Sequence, residues 1–325
     1  MKVSNSVSID SVGAILADTQ QPLKRRFRAL FTLKNTYDPQ SLPWIKETLD
    51  KEKSVLLKHE LAYCMGQMSL PEAIPLLIPI LNDHNQDSIV RHEAGEALGN
   101  LVPLDRDDDG NNRSLSAIKA LEANMSDKCP LVSQTCELAM EKIRWLRDAT
   151  KQEIEQLNCK KFTTHDPTPP MASFDSVGKL EEILISPETS LFDKYRALFS
   201  LRNLGSSECV DILGRSLHRN RDNRKMDLFM HEIGYIFGQM CDPDSIEYLE
   251  KIVEYPECHE IARHECVEAL GSIGTSKAIE FLKNFINDPS LVVRQSVEVA
   301  LDMTDYTEDD SFQFWTTDRG IEVAS

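Results

Sequence analysis

Histidine followed directly by glutamate recurs in this chain at a spacing that indicates a metal site. Each of two pairs of dipeptides has 33 residues between its histidines (59 to 92 and 231 to 264), namely His59-Glu60 with His92-Glu93, and His231-Glu232 with His264-Glu265. Imidazole and carboxylate ligands together suit iron, manganese or zinc. Packed helices can bring such ligands together from distant segments. The pattern therefore predicts a metal site built from all four dipeptides.

The competing interpretation is that the dipeptides lie on a solvated surface, which is the usual environment of a single exposed His-Glu pair. The four matched copies count against it, because they take half of the eight histidines of the chain. His259-Glu260 is a fifth pair outside the repeated position, and we expect it in a loop or at a helix start. The unmatched His84, His165 and His218 are predicted to be surface or linker residues.

The types of candidate ligand also restrict which metal the site can bind. Structural zinc usually includes cysteine and needs four ligands, whereas eight candidates can hold two metals with positions left open. Two irons fit best, since histidine and carboxylate ligands with open positions bind dioxygen. No HExxH or Glu-x-x-His motif is present in the sequence, which disfavours a zincin-type hydrolase and the familiar di-iron bundle. The eight cysteines form no CxxC pair and are predicted to be reduced thiols.

The elements that position the dipeptides form a duplicated helical array. LLKHELAYCMGQM at 56–68 recurs as LFMHEIGYIFGQM at 228–240, and RHEAGEALGN at 91–100 recurs as RHECVEALGS at 263–272. Within each half, an apolar helix, a turn and a second helix repeat, which predicts an all-α solenoid of eight helix pairs. The second helices are predicted to begin near Leu23, Val55, Ile89, Val132, Leu191, Leu228, Ile261 and Val292.

The helical period separates the dipeptides from the apolar stripe. At 100° per residue, Ala94, Ala97 and Leu98 share the buried face, and His92 lies off it. The histidines are therefore predicted to avoid the core of each half and to lie side by side on one surface. Five glycines near predicted helix ends are expected to adopt left-handed C-terminal conformations: Gly66, Gly99, Gly205, Gly238 and Gly274.

The domain prediction follows the duplication. Residues 1–149 form an N-terminal half, residues 150–176 a proline-containing linker with HDPTPP, residues 177–307 a C-terminal half, and residues 308–325 an acidic tail. A long linker suggests that the halves turn toward one another, so that the two pairs of dipeptides face a central metal site.

Composition limits the partners and the compartment. The formal charge of -17 argues against a nucleic-acid backbone and is compatible with a cationic partner. The sequence contains no apolar run typical of a signal peptide or of a membrane span, so we expect no membrane association. The predicted localisation is cytoplasmic, with nuclear presence also compatible.

These segments together resemble the deoxyhypusine hydroxylases, which are HEAT-repeat di-iron monooxygenases. The resemblance covers nearly the whole chain and rests on the four dipeptide segments, the RFRALF and KYRALF units, DPTPP and VALDM. It implies hydroxylation of the deoxyhypusine side chain of eukaryotic translation initiation factor 5A to hypusine. Dioxygen would be the oxidant, with two iron ions per chain and an unidentified reductant.

Matching the family motif position by position assigns roles to all eight residues. His59, His92, His231 and His264 would be iron ligands, and Glu93 and Glu265 would be carboxylate ligands. The resemblance ties Glu60 and Glu232 to substrate binding and catalysis, and both could also bind metal. Two other classes of function stay open: a non-catalytic HEAT scaffold that uses the dipeptides as contact residues, and a HEAT-like lyase or zinc hydrolase that needs no dioxygen.

Overall fold

The described residues form helices and short turns, and no strand occurs among them. A computed structural model describes residues 8–104, 112–151, 153 and 162–306. Its α-helices, in chain order, are α1 Ile9–Ala17, α2 Leu23–Lys34, α3 Leu42–Lys51, α4 Val55–Gln67, α5 Ile74–Asn82, α6 Ser88–Leu101, α7 Arg113–Asn124, α8 Pro130–Asp148, α9 Val177–Ile185, α10 Leu191–Leu204, α11 Ser207–Asn220, α12 Asp227–Met240, α13 Ile246–Val253, α14 Glu260–Ile273, α15 Ser276–Leu282 and α16 Leu291–Tyr306.

The helices pair as outer and inner members of eight repeats, which confirms the predicted solenoid. The inner helices are the even-numbered ones, and each begins at or within two residues of its predicted start. Local signals explain this accuracy. Ser54, for example, accepts a hydrogen bond from the Leu57 amide, and Asp87 accepts one from the Ile89 amide. Such side chains satisfy amide groups that have no partner within the helix.

A buried cation joins the two helices of several repeats. The arginine or lysine lies near the start of the inner helix and donates to a backbone carbonyl ten residues earlier, at the end of the outer helix: Arg26 to Leu16, Arg91 to Leu81, Lys194 to Leu184 and Arg263 to Val253. The last carbonyls of a helix have no intrahelical donor, so these side chains satisfy them. In these four repeats the contact ties the start of the inner helix to the end of the outer helix.

Inner helices of the two halves face each other and run in the same direction. The Tyr63 hydroxyl lies 3.2 Å from that of Tyr235, which occupies the corresponding position 172 residues later. His59 and His231 also correspond, and their rings lie 5.9 Å apart. Like positions meet at two successive turns, so a pseudo-twofold axis runs parallel to α4 and α12. All the inner helices therefore end on the same side of the molecule.

The described part of the linker is held by both halves. Gln67 donates to the His165 carbonyl, and the corresponding Gln239 donates to the Thr164 hydroxyl. Arg202 makes two hydrogen bonds with the carboxylate of Asp166, at 2.7 and 2.8 Å, and both side chains are buried. Residues 162–171 thus form a strap across one junction of the halves. Most of residues 150–161, the acidic run at 105–109 and the tail from 308 lie outside the described residues.

A direct ion pair closes the opposite junction, between the first and last repeats. Arg28 on α2 binds Asp302 on α16 through two hydrogen bonds of 2.7 and 2.8 Å. Ser54, next to α4, donates to Gln295 on α16. The two junctions enclose the space between the halves.

The glycine prediction was right at two positions and wrong at three. Gly205 and Gly274 have positive φ, 64° and 63°, at the ends of α10 and α14. Gly66, Gly99 and Gly238 lie in the last turn of α4, α6 and α12, near the helix ends as predicted, but none of them has a positive φ. At Gly66 an added Cβ would meet the Cα of Ala97 at 2.8 Å. The role of this glycine is to let two inner helices approach closely.

The seven described cysteines are all free thiols, which fits the prediction for them. Within the described ranges, every helix is too short or too polar to cross a bilayer.

Candidate metal centre

The four predicted histidines converge between the two halves. They project from α4, α6, α12 and α14, and the ring centroids of neighbouring members lie 5.2–5.9 Å apart. All four are buried, with exposures of 0–5%. The predicted core residues Ala94, Ala97 and Leu98 are fully buried within their own half. The histidines are thus outside the apolar cores, in a polar cluster on the pseudo-twofold axis.

The glutamates of the second dipeptide in each half reach across to the histidine of the first. A carboxylate oxygen of Glu93 lies 3.1 Å from His59 Nε2 and 3.5 Å from His92 Nε2. In the other half, Glu265 lies 3.2 Å from His231 Nε2. Residues that are 33 or 34 positions apart in sequence therefore share one site, because adjacent inner helices stack in register.

The glutamates of the first dipeptides are placed differently from each other. Glu60 lies 3.0 Å from Nδ1 of its neighbour His59. Glu232 is 2% exposed, and its Oε1 has no hydrogen-bond partner among the described residues. Both line the central cavity, so their carboxylates are available to a ligand there.

Two further carboxylates in the site were missed by sequence reasoning. Glu96 and Glu268 lie four residues after His92 and His264, and both line the central cavity. Glu268 lies 3.4 Å from His264 Nδ1 and accepts a hydrogen bond from Ser296. The signal was present, because RHEAGE and RHECVE repeat this second glutamate as faithfully as the first.

Three clusters of donor atoms have the compactness that a metal ion requires, with their atoms within 4.8 Å of one another. They are His59, His231 and His264; His59, His92 and Glu93; and His264, Glu265 and Glu268. Nitrogen atoms with unused hydrogen-bonding capacity support the same conclusion. Nε2 of each of the four histidines is buried and has no hydrogen-bond partner among the described residues. Buried polar atoms are normally satisfied, so these nitrogens fit bound metal.

The protonation of the deepest histidines also suits metal binding. Burial, together with neighbouring histidines, holds the pKa of His92 and of His264 well below the ordinary value, so both rings are neutral near pH 7. Neutral imidazole is the form that binds metal. The Nδ1 atom of His92 lies 3.1 Å from the Thr135 hydroxyl, and that of His264 faces Glu268. These partners orient each ring so that Nε2 points into the cluster.

The glutamates of the site have too few cationic side chains around them to balance their negative charge. Burial raises the pKa of Glu60, and it raises the pKa values of Glu96, Glu232 and Glu268 much further, with neighbouring glutamates adding to the effect in each case. At His59 burial lowers the pKa, but the adjacent carboxylates of Glu60 and Glu93 outweigh it and raise the pKa well above the ordinary value. Cations bound in the site would relieve this accumulation of negative charge.

A cavity of about 510 Å³ adjoins the cluster. Its lining includes six glutamates, two tyrosines, and residues of α2 and α16 such as Phe27, Phe31 and Asp302. This volume holds a long side chain next to the histidine cluster.

The remaining histidines lie apart from this cluster. His259 caps α14, where Nδ1 accepts a hydrogen bond from the Ile261 amide, and this confirms its prediction as a helix-start residue. His84 is 74% exposed on its side chain. His165 lies in the strap, and His218 is only half-buried and lies 2.9 Å from the Tyr248 carbonyl.

The described part of the chain is an all-helical repeat protein that buries four histidines and four glutamates between its halves, with two more glutamates half-buried beside them. These features place it among helical-repeat proteins with a candidate histidine-carboxylate metal centre. A sequence model of HEAT repeats matches residues 9–99 and 228–302. Relatives named deoxyhypusine hydroxylase include one from Danio rerio, 42% identical over 96% of each chain, and one from Rattus norvegicus, 40% identical over 94% of each.

A solved structure shares the fold as well. Human deoxyhypusine hydroxylase in complex with glycerol superposes with a TM-score of 0.80 at 38% identity, covering 91% of this chain and 96% of that one. The chain belongs to the deoxyhypusine hydroxylase family. It is therefore an enzyme of the oxidoreductase class, as the sequence motifs predicted.

Proposed function

We propose that this protein hydroxylates the deoxyhypusine side chain of eukaryotic translation initiation factor 5A, forming hypusine, with dioxygen at a centre of two irons. The observation that carries the proposal is the cluster of four buried histidines whose Nε2 atoms have no hydrogen-bond partner among the described residues. Family membership indicates the substrate, and the histidine and carboxylate ligands indicate the metal.

His59, His92, His231 and His264 would hold the irons, together with Glu93 and Glu265. Glu93 approaches two histidines of its half, and Glu265 approaches His231. Bound iron would supply the activation of dioxygen that protein side chains alone lack. In the overall reaction one C–H bond becomes C–OH with one oxygen atom of dioxygen. The other oxygen atom leaves as water, with two electrons and two protons from an external reductant.

Glu60 and Glu232 would bind the substrate. Deoxyhypusine is a lysine whose side-chain nitrogen carries an aminobutyl group, so it has two amines that are cationic at neutral pH. Both carboxylates are buried and line the cavity, and in low dielectric their attraction for an ammonium group is much stronger than in water.

The experiment that tests this proposal uses labelled dioxygen. Iron-loaded protein is incubated with the deoxyhypusine form of the factor under ¹⁸O₂, and the modified peptide is analysed by mass spectrometry. We expect one labelled oxygen per modified residue. Unlabelled product would show that the oxygen comes from water, as in a hydrolytic or lyase mechanism. Binding of the factor without any mass change would support the scaffold function.

A further inference from the structure

A second polar layer lies one helical turn beyond the four histidines. Tyr63, Glu96, Tyr235 and Glu268 each follow a histidine of the cluster by four residues, and all four line the cavity. The two tyrosine hydroxyls lie 3.2 Å apart, across the pseudo-twofold axis. The layer therefore contains two phenols and two carboxylates in the same symmetric arrangement as the dipeptides.

This layer lies between the histidines and the C-terminal ends of the inner helices. On α4, α6, α12 and α14 the cavity lining begins at the dipeptides and continues only toward the C-terminus, as far as Gln239 and Ser272. A side chain that extends along the cavity from the dipeptides therefore passes Glu96 and Glu268. Helix C-termini carry partial negative charge, which favours a cation at that end of the cavity.

The charge of the cavity exceeds what two metal ions can balance. Six glutamates line it: Glu60, Glu93, Glu96, Glu232, Glu265 and Glu268. Asp302, Lys24 and Arg28 line it as well, so two divalent ions would leave one formal negative charge unbalanced. Oε1 of the 2% exposed Glu232 has no hydrogen-bond partner among the described residues, and the half-buried Glu96 lines the same cavity. A cationic ligand stabilises a buried carboxylate that has no partner.

The spacing of the layers matches the spacing of the substrate amines. Glu60 and Glu232 follow the histidine on their own helix by one residue, whereas Glu96 and Glu268 follow theirs by four. The difference of three residues corresponds to a rise of about 4.5 Å along the helix axis. The two pairs lie on different helices, so a lateral offset adds to this rise. The amines of an extended aminobutyl group are about 6 Å apart. A terminal amine at the first pair would therefore place the second amine near the other pair.

We propose that Glu96 and Glu268 are specificity-determining residues that bind the inner, secondary amine of deoxyhypusine, while Glu60 and Glu232 bind its terminal amine. This inference rests on the proposed function of the site. Holding both nitrogens places the carbon chain between them along the metal cluster, and that chain contains the carbon that gains the hydroxyl group. A plain lysine side chain has only one amine and cannot occupy both pairs.

Steady-state kinetics of Glu96→Gln and Glu268→Gln test this inference, with Glu298→Gln on the exposed face of α16 as the matched control. Glutamine keeps the shape of the side chain and removes its charge. We expect KM for the deoxyhypusine form of the factor to rise about tenfold to a hundredfold in each variant. In Glu96→Gln, which leaves the contact between Glu268 and His264 intact, kcat and bound iron should stay close to the wild-type values. The control should match the wild type.

A binding measurement separates substrate recognition from a purely structural role. Under anaerobic conditions, which prevent turnover, fluorescence anisotropy compares the affinity of iron-loaded protein for the deoxyhypusine form and for the unmodified lysine form of the factor. The two variants should lose much of the preference for deoxyhypusine. An unchanged KM and preference, or loss of iron from Glu96→Gln, would overturn the inference. An inactive wild-type enzyme in the same assay would instead contradict the proposed function.

Discussion

Gly66→Ala is expected to destabilise the protein, whereas the same substitution at its counterpart Gly238 is expected to be tolerated. Both glycines lie in inner helices, where alanine has the higher helix propensity by about 1 kcal/mol. Their surroundings differ. An added Cβ would meet Ala97 Cα at 2.8 Å at Gly66, but would meet Ala269 Cα at 3.4 Å at Gly238. The first distance forces a shift of backbone, and the second is an ordinary contact.

The magnitude follows from these two contributions. Overpacking of this kind costs about 1–3 kcal/mol, because the atom in the way belongs to the α6 backbone and cannot rotate aside. After the gain in helix propensity, Gly66→Ala should lower the free energy of unfolding by up to about 2 kcal/mol. Gly238→Ala should leave it unchanged or raise it by up to about 1 kcal/mol. The two variants should therefore differ by at least about 1 kcal/mol.

Equilibrium urea denaturation followed by circular dichroism measures this difference. Gly178→Ala is the control, since an added Cβ there meets nothing nearer than the Ser176 hydroxyl at 3.8 Å. An anaerobic titration with ferrous ion should also show weaker binding in Gly66→Ala, because α4 and α6 carry His59 and Glu93, which approach to 3.1 Å. Equal midpoints for the two variants, or a lower midpoint for Gly238→Ala, would refute the close-approach argument.

Three further predictions concern the strap, the fifth dipeptide and pH. Asp166→Asn should lower the free energy of unfolding by about 3–5 kcal/mol in urea denaturation, because it leaves the buried Arg202 guanidinium without its charge partner. His259→Ala should remove an N-terminal cap and lower stability by about 0.5–2 kcal/mol, yet metal analysis should show bound iron as in the wild type. Burial raises the pKa of Asp288, but Arg263 and the Ser290 amide outweigh it and hold that pKa below the ordinary value. This stabilisation is therefore present above about pH 4 and lost as pH falls through the folded-state pKa, so stability should decline less steeply with acid in Asp288→Asn than in the wild type.

Local features of the sequence predicted the helices and the convergence of the four dipeptides well. The starts of the inner helices depend on caps and apolar periodicity within a few residues, and Leu23 and Val55 are the observed first residues of α2 and α4. The convergence of the dipeptides followed from the duplication, since equal spacing within each half brings like positions to one axis. Neither prediction needed knowledge of distant contacts.

Features that depend on tertiary contacts were missed or misread. Gly66 was expected to adopt a left-handed conformation, because the approach of Ala97 on the neighbouring helix is not encoded near it in sequence. HDPTPP correctly indicated an interruption, but the pairing of Asp166 with Arg202 spans 36 residues and was invisible. Glu96 and Glu268 were not predicted, because the repeated motif was defined by adjacent His-Glu pairs alone. Helical geometry nevertheless places a residue four positions after a histidine on the same helix face.

The measurement that tests the central claim most directly is the iron content of the protein after anaerobic loading with ferrous ion. We expect about two irons per chain in the wild type, with iron lost in His92→Ala and in His264→Ala and retained in the exposed-histidine control His84→Ala. Circular dichroism must show that each variant is folded. A folded wild-type protein that takes up no ferrous ion, or that takes it up equally well without His92 or His264, would contradict the account.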